Sequence, residues 1–145
     1  MVARFGDQYE WLTITPLQAT YENKKLVTDL IKIKREPMGG IEISPLLKAI
    51  FEMDFEIPYA RSVIIISNGN LKEQGVLEKL LTTSRNLKDT RVSAVGIGSG
   101  CSDSFLRIIA SKGLGLIECL TSHTILESRC KMFMARLRAK TVSNI

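Results

Sequence analysis

Few residues of this sequence could carry out catalytic chemistry. His123 is the only histidine, and the three cysteines, Cys101, Cys119 and Cys130, show no Cys-x-x-Cys spacing. A thiol nucleophile needs a neighbouring base, and His123 is the only imidazole that could serve as one. We therefore predict that each cysteine is a small core residue. No catalytic residue is assigned, and the chain is predicted not to be an enzyme.

A glycine-rich turn at residues 96–100 (Gly-Ile-Gly-Ser-Gly) is the second chemical candidate, because it lies between a predicted strand and a predicted helix. The dinucleotide-binding pattern G-x-G-x-x-G would require a glycine at the position of Cys101. That pattern also belongs to the first strand–helix unit of its fold, whereas this turn comes late in the chain. A nucleotide-binding α/β enzyme domain therefore remains only the alternative, and no cofactor is predicted.

Length and composition indicate one globular domain. The chain has 145 residues, of which 45% are hydrophobic and 24% charged, and that is enough to bury a substantial core. No apolar run approaches the roughly 18 residues of a membrane span, so no membrane contact is predicted. The odd cysteine count and the lack of an Asn-x-Ser/Thr site favour a cytoplasmic, reducing location, with an extracellular location as the alternative.

The positive charge is concentrated near the end of the chain. Residues 1–128 carry equal numbers of acidic and basic side chains, and the net charge of +5 comes from residues 129–145. The cations there are Arg129, Lys131, Arg136, Arg138 and Lys140. They could contact nucleic acid or an acidic partner, or simply favour the C-terminal end of a helix. Phe133 is the only aromatic residue among them, which argues against nucleic acid, because such surfaces usually interleave aromatics with the charges.

The first third of the chain predicts a hairpin and two helices. Residues 3–6 and 10–14 have strand patterns joined by turn residues, which predicts that they pair. Residues 23–35 repeat apolar side chains at helical spacing opposite lysines, which is typical of an amphipathic surface helix. A further helix begins at Ser44 and buries Leu46, Leu47, Ile50 and Phe51.

The remainder alternates strands and helices. Apolar runs at residues 62–67, 91–97 and 114–120 predict strands, with 62–67 covered on both faces, and helices are predicted at 72–85, at 102–112 and after residue 120. Such alternation predicts an α/β fold, a three-layer, doubly wound, mostly parallel sheet. Ligands of these sheets bind at the carboxyl ends of the strands, here the loops at 38–42, 68–71 and 98–103.

Four segments at or near these loops resemble the von Willebrand factor A domain. They are residues 4–7 (Arg-Phe-Gly-Asp), 38–43 (Met-Gly-Gly-Ile-Glu-Ile), 63–69 (Val-Ile-Ile-Ile-Ser-Asn-Gly) and 95–100 (Val-Gly-Ile-Gly-Ser-Gly). Within that superfamily, residues 61–71 and 91–118 are most similar to the domains of vault poly(ADP-ribose) polymerase and of inter-alpha-trypsin inhibitor heavy chains. The resemblance implies a Rossmann-like fold over residues 1–145 and a role in protein binding.

The resemblance also implies that the family's metal-ion-dependent adhesion site is degenerate here. In the family the ion is held by an Asp-x-Ser-x-Ser motif after the first strand, a threonine after a Gly-Gly pair and an aspartate in a Thr-Asp-Gly turn. This chain starts at the family's second strand and has no Asp-x-Ser-x-Ser motif, while Ile41 and Asn68 occupy the other two positions. No metal is predicted, and Ile41, Asn68, Gly69 and Ser99 are predicted to contact a protein partner instead.

The absent first strand has a structural implication. In the family it lies between the strand that holds Phe5 and the strand that holds Ile64, so both would have an open edge. We therefore expect an N-terminally truncated domain, a fragment of a larger vault-polymerase-like protein, that can self-associate through open sheet edges. ADP-ribosyl transfer is not expected, because that chemistry resides in a separate domain of the polymerase and no accompanying tyrosine and glutamate motif is found here.

Overall fold

A computed structural model describes residues 1–54, 61–68, 74–83, 90–98, 103–121 and 126–138. The chain divides into two compact units, Met1–Glu52 and Met53–Ile145. The first contains a two-stranded sheet, and the second contains a three-stranded sheet. No helix among the described residues is both long enough and apolar enough to cross a membrane.

The first unit begins with the predicted hairpin. Strands β1 (Val2–Phe5) and β2 (Tyr9–Thr13) pair antiparallel. Two helices come next, α1 (Tyr21–Ile33) and α2 (Ser44–Glu52). Helix α2 buries Leu46, Leu47 and Phe51 as predicted, and leaves Ile50 half-buried.

Helix α1 begins and ends two residues earlier than its apolar pattern predicts, because both ends are capped. The hydroxyl of Thr20 accepts a hydrogen bond from the backbone N–H of Asn23 and starts the helix at Tyr21. At the other end, the guanidinium of Arg4 donates to the carbonyl oxygens of Lys34 and Glu36, at 3.0 and 3.3 Å. The contact with Lys34, the C-cap residue, satisfies a carbonyl group at the helix end, and the contact with Glu36 holds the segment that follows.

The second unit is a parallel α/β sheet. Its strands are β3 (Arg61–Ser67), β4 (Thr90–Ile97) and β5 (Leu114–Leu120), and its helices are α3 (Gln74–Thr83), α4 (Asp103–Gly113) and α5 (Leu126–Arg138). Strand β4 pairs in parallel with β3 on one side and with β5 on the other. The predicted α/β fold is therefore confirmed, including the parallel pairing of residues 63–66 with the strand at 92–97.

Helices cover both faces of the central strand β4. Ala94 and Val95 are both buried although they are consecutive, so their side chains lie on opposite faces of the sheet. Val95 packs with Leu120 of β5 and Phe133 of α5. Helix α4 contacts β4 and β5 as well as α3. The second unit therefore has the helix–sheet–helix layering expected of a doubly wound fold.

Strand β3 differs from the prediction in one respect. Its continuous apolar run predicts burial on both faces, but only Ile65 is fully buried, while Ile64 and Ile66 are 39% and 59% exposed. The reason is the position of β3, which ends the order of the three-stranded sheet. Among the described residues, the apolar side chains of the sheet that pack against α5 belong to β4 and β5.

The cysteines also differ from the prediction. Cys130 is a free, half-buried thiol packed against Val95, Leu120 and Phe133, which confirms its core role. Cys119, near the end of β5, is disulfide-bonded, so the prediction of a simple core thiol is wrong there. Its sequence context carries no spacing signal for a disulfide. Cys101 lies outside the described residues.

Candidate functional site

The glycine-rich loop at residues 38–42 is bound to the turn of the β1–β2 hairpin. The backbone N–H of Asp7 donates to the carbonyl oxygen of Met38 at 3.0 Å, and the N–H of Glu42 donates to that of Gly6 at 3.0 Å. The carboxylate of Asp7 accepts a hydrogen bond of 2.6 Å from the N–H of Gly40. Three hydrogen bonds therefore fix the backbone of the loop on both sides of Ile41.

Glycine is required in this loop for two reasons. Gly39 has a φ of +81°, a conformation that residues with a side chain adopt at a cost. A Cβ atom at Gly39 or Gly40 would also overlap the Asp7 carboxylate, and one at Gly6 would overlap Met38. The Gly-Gly pair therefore lets the backbone approach Asp7 closely enough for the hydrogen bond to form.

Ile41 is the candidate site residue that this loop presents. Its side chain is half-buried. Two residues later Ile43 is fully buried, and α2 begins directly after it. The sequence predicted Ile41 as a contact position. It did not identify Asp7 as the residue that holds the loop, although an aspartate in a hairpin turn, with its capacity to accept backbone hydrogen bonds, was the available signal.

Asn68 is the candidate site residue of the second unit. It immediately follows β3 and is exposed, at the carboxyl end of a parallel strand where ligands of such sheets bind. At the corresponding end of β4, Gly98 has a φ of +100° and its N–H donates to the carbonyl oxygen of Leu120 at 2.9 Å. Gly69, Ser99 and His123, by contrast, lie outside the described residues.

A charged cluster in the first unit was not predicted from the sequence. Glu10 accepts from Lys34 at 2.9 Å and forms an ion pair with Arg4 at 2.7 Å. The hydrogen bonds from Lys34 and then Arg4 lower the pKa of the Glu10 carboxyl group. Because Arg4 also binds the carbonyl oxygens at the end of α1, this cluster ties the hairpin to the end of that helix.

Several known proteins share the sequence pattern or the fold. The chain is 23% identical over 145 residues to a von Willebrand factor A domain-containing protein of Dictyostelium discoideum, a match that covers 99% of the chain. It is 26% identical over 117 residues, 81% of the chain, to human protein mono-ADP-ribosyltransferase PARP4. The crystal structure of the conserved hypothetical protein BatB from Bacteroides thetaiotaomicron shares the fold, with a TM-score of 0.53 at 12% identity over 79% of the chain and 70% of BatB.

The chain is therefore similar to von Willebrand factor A domain-containing proteins, which confirms the predicted resemblance. The similarity to the human ADP-ribosyltransferase PARP4 confirms the predicted likeness to the vault polymerase. No family model matches it. The chain spans only 7% of the length of the Dictyostelium relative and 6% of the human one.

The residues at the two predicted metal-site positions, Ile41 and Asn68, have little of the chemistry that binds a divalent cation. Mg²⁺ prefers several hard oxygen ligands, usually with carboxylates among them. Ile41 offers only a hydrocarbon side chain, and Asn68 only a neutral amide. Asp7, whose carboxylate contacts this loop, already accepts the Gly40 N–H. Within the described residues, no three histidine, cysteine, aspartate or glutamate side chains cluster as metal ligands would.

Proposed function

We propose that this von Willebrand factor A domain is a protein-interaction module whose metal-ion-dependent adhesion site is degenerate. The observation that carries the proposal is the loop held by Asp7. Its backbone is fixed by three hydrogen bonds, yet the residue it presents at the family's threonine position is the apolar Ile41. A pre-ordered loop lowers the entropy lost on binding, and an apolar side chain suits contact with another protein better than coordination of a cation.

In this proposal Ile41, Asn68, Gly69 and Ser99 contact the partner directly. Asn68 supports it because its exposed amide can both donate and accept hydrogen bonds without the desolvation cost of a carboxylate. We further propose that residues 1–145 work as one domain, a module of a longer vault-polymerase-like protein. The alignment with the Dictyostelium relative, which extends over 99% of the chain, supports this.

The experiment has two arms, and the first measures metal binding. Titration calorimetry of the chain with Mg²⁺ and with Mn²⁺ should give no saturable heat. Saturable micromolar binding that Asn68→Ala abolishes would restore the metal-dependent mechanism and overturn the proposal.

The second arm measures partner binding. A photo-crosslinking amino acid at position 68 identifies a partner, which is then purified and titrated with the chain. Asn68→Ala and Ile41→Ser should each weaken binding by roughly tenfold, the effect of losing about 1.4 kcal/mol, and a chelator should leave the affinity unchanged. Lys48→Ala, an exposed change on α2, is the matched control. A partner that binds all four proteins equally would place the contact surface elsewhere.

We propose that the module has no catalytic activity. The human relative is named as an ADP-ribosyltransferase, but the chain covers 6% of it. Incubation of the chain with labelled NAD⁺ and acceptor protein should transfer no label. For the alternative, a nucleotide-binding domain, equilibrium dialysis with labelled ATP and NAD⁺ should show no retention, and retention of either would favour it.

Self-association through an open sheet edge is a second proposed interaction, and it rests on β3. This strand ends the order of its sheet, and one of its faces exposes Ile64 and Ile66. Strand edges with exposed apolar side chains pair with other chains unless charges prevent it. Light scattering over roughly a hundredfold concentration range should show dimers that Ile66→Lys abolishes. A monomer at every concentration would contradict this.

A cytoplasmic location is also proposed from the odd cysteine count and the missing glycosylation site. The disulfide of Cys119 works against it, because structural disulfides persist mainly in oxidising compartments. Alkylation of the chain in intact cells, followed by mass spectrometry, decides between the cytoplasm and an oxidising compartment. Alkylated Cys119 supports the cytoplasm, and unmodified Cys119 supports an oxidising compartment.

A further inference from the structure

Helix α5 is anchored to the sheet by one side only. Its residues Leu126, Cys130, Phe133 and Leu137 recur at spacings of three and four and pack against Val95, Leu116 and Leu120. This apolar side is therefore occupied by the domain's own core. The helix cannot use it to enter a membrane or to bind another helix.

The opposite side of α5 has an ordered arrangement of apolar and cationic residues. Met132 and Ala135 are three residues apart and form an exposed ridge along its centre, with Met132 61% exposed. Two rows of cations border the ridge, each with its members seven residues, or about two turns, apart. One row is Arg129 and Arg136, and the other is Lys131 and Arg138.

The cations differ in how far their charge is neutralised. Arg129 pairs with Glu118 at 2.9 Å, and Lys131 pairs with Glu127 of the preceding turn. Arg136 and Arg138, in the last turn, have no acidic partner among the residues that the structure describes. The negative end of the helix dipole favours cations there, but it leaves both guanidinium groups able to form bidentate bonds with carboxylates.

From this arrangement we propose that the outer side of α5 is a docking surface for an acidic segment of a protein partner that also carries apolar side chains. The carboxylates of the segment pair with Arg136 and Arg138, and an apolar side chain packs on Met132, whose flexible thioether adapts to different shapes. Nucleic acid fits less well, because the one aromatic residue of α5, Phe133, is buried and cannot stack on a base. This surface consists of residues other than those of the proposed function.

The proposal is tested on the full chain with a fluorescein-labelled peptide, Glu-Asp-Leu-Glu-Asp-Leu-Glu-Asp, by fluorescence anisotropy. The chain should bind it in a salt-dependent manner. Arg136→Glu combined with Arg138→Glu should weaken binding at least about tenfold, since it replaces two attractive charges with repulsive ones. The control, Lys24→Glu combined with Lys25→Glu on exposed positions of α1, changes the net charge equally and should alter binding less than about twofold.

Three further measurements complete the test. Met132→Ser should weaken binding of the leucine-containing peptide but not of a version with serine in place of leucine.

Oligothymidylate and phosphatidylserine vesicles should bind the chain more weakly than the peptide does. If either bound more strongly than the peptide, and the double arginine variant abolished that binding, the assignment of the partner as a protein would be overturned. Equal loss in the α1 control would show a nonspecific charge effect and overturn the proposed surface. Circular dichroism confirms that the exposed substitutions leave the fold intact. If the peptide does not bind to α5, the proposed partner contacts of Ile41 and Asn68 are unaffected, so the α5 surface and the proposed function are tested independently.

Discussion

The carboxylate oxygen Oδ1 of Asp7 lies 2.6 Å from the backbone nitrogen of Gly40 and accepts its hydrogen. This bond links positions 33 residues apart in the sequence, the hairpin turn and the glycine-rich loop. It forms because neither Gly39 nor Gly40 has a side chain that would occupy the space of the carboxylate. The candidate contact residue Ile41 comes next, so the conformation of the candidate site depends on Asp7.

Replacing Asp7 should loosen the loop. Asp7→Ala removes the acceptor, and we expect the Gly40 N–H to exchange with solvent about tenfold faster, equivalent to losing about 1.4 kcal/mol of local stability. Hydrogen exchange followed by nuclear magnetic resonance measures this at the single amide. Asp7→Asn keeps an acceptor oxygen and should exchange nearly as slowly as the parent chain. If the Gly40 N–H exchanged equally slowly in Asp7→Ala, the two backbone hydrogen bonds, from Asp7 to Met38 and from Glu42 to Gly6, would be enough to hold the loop.

Substitution of Gly39 should destabilise the first unit. Gly39→Ala introduces a side chain at a φ of +81° and against the Asp7 carboxylate, and the backbone conformation alone costs roughly 1–2 kcal/mol. The matched control is Gly75→Ala in α3, where a Cβ meets nothing within 4 Å. That change should leave the stability unchanged or raise it slightly, because Gly75 lies in the first turn of α3 and alanine is the better helix former. Urea unfolding of both variants provides the comparison, and effects of the same sign would count against the loop geometry.

The Glu10 cluster should make stability depend on pH in the acid range. Its contacts with Lys34 and Arg4 lower the pKa of Glu10 in the folded chain below its ordinary value of 4.5. Its stabilising contribution is therefore fully present above pH 4.5 and is lost as the pH falls through the lowered pKa of the folded state.

Urea unfolding of the parent chain, of Glu10→Gln and of Glu42→Gln between about pH 7 and pH 3 tests this dependence. Glu10→Gln should be less stable than the parent at neutral pH and should lose less stability on acidification. Glu42→Gln, an exposed change, should follow the parent curve. Parallel curves for all three proteins would show that the cluster contributes nothing measurable, as happens for many exposed ion pairs.

The elements of the second unit could be predicted from the sequence because their signal is local. Residues 114–120 and the strand at 90–97 are short apolar runs, and the connecting helices repeat apolar residues every three or four positions. What the local pattern could not show was the exposure of Ile64 and Ile66. A β-branched run has the same sequence whether both of its faces are covered or only one, since coverage depends on neighbours far along the chain.

The candidate site was predictable in part for the same reason. Ile41 and Asn68 could be selected because each comes directly after a recognisable segment, the Gly-Gly pair and the apolar run of β3. Asp7 had only the general signal of an aspartate in a turn, and its partner Gly40 is 33 residues away. The cluster of Arg4, Glu10 and Lys34 had no such signal, because charged side chains are usually solvated and Lys34 is 24 residues from Glu10. The disulfide of Cys119 likewise depends on spatial proximity that cysteine spacing does not encode.

Removing a buried hydroxyl should stabilise the second unit. Thr90 is 1% exposed at the start of β4, and its Oγ1 has no hydrogen-bond partner within the described residues. Thr90→Val replaces the hydroxyl with a methyl group of similar size and relieves a desolvation cost of about 1–3 kcal/mol. Calorimetry should show a higher melting temperature. In the control, Thr82→Val, the lost hydroxyl is exposed and bonded to the Glu78 carbonyl oxygen, so the melting temperature should stay the same or fall slightly.

The last prediction compares consecutive residues of β3 that lie on opposite faces of the sheet. Ile65 is 4% exposed and pairs across the sheet with the fully buried Ala94, whereas Ile66 is 59% exposed. Ile65→Asp would bury an unpaired carboxylate at a cost of several kcal/mol, a large part of the stability of a typical domain, which is about 5–15 kcal/mol. Ile66→Asp adds the same charge where water can solvate it and should cost less than about 1 kcal/mol. Circular dichroism and urea unfolding should therefore find Ile65→Asp unfolded or nearly so and Ile66→Asp folded. If Ile66→Asp also fails to fold, the exposed face of β3 is covered in the working protein, and the self-association proposed through this strand would have to involve another edge.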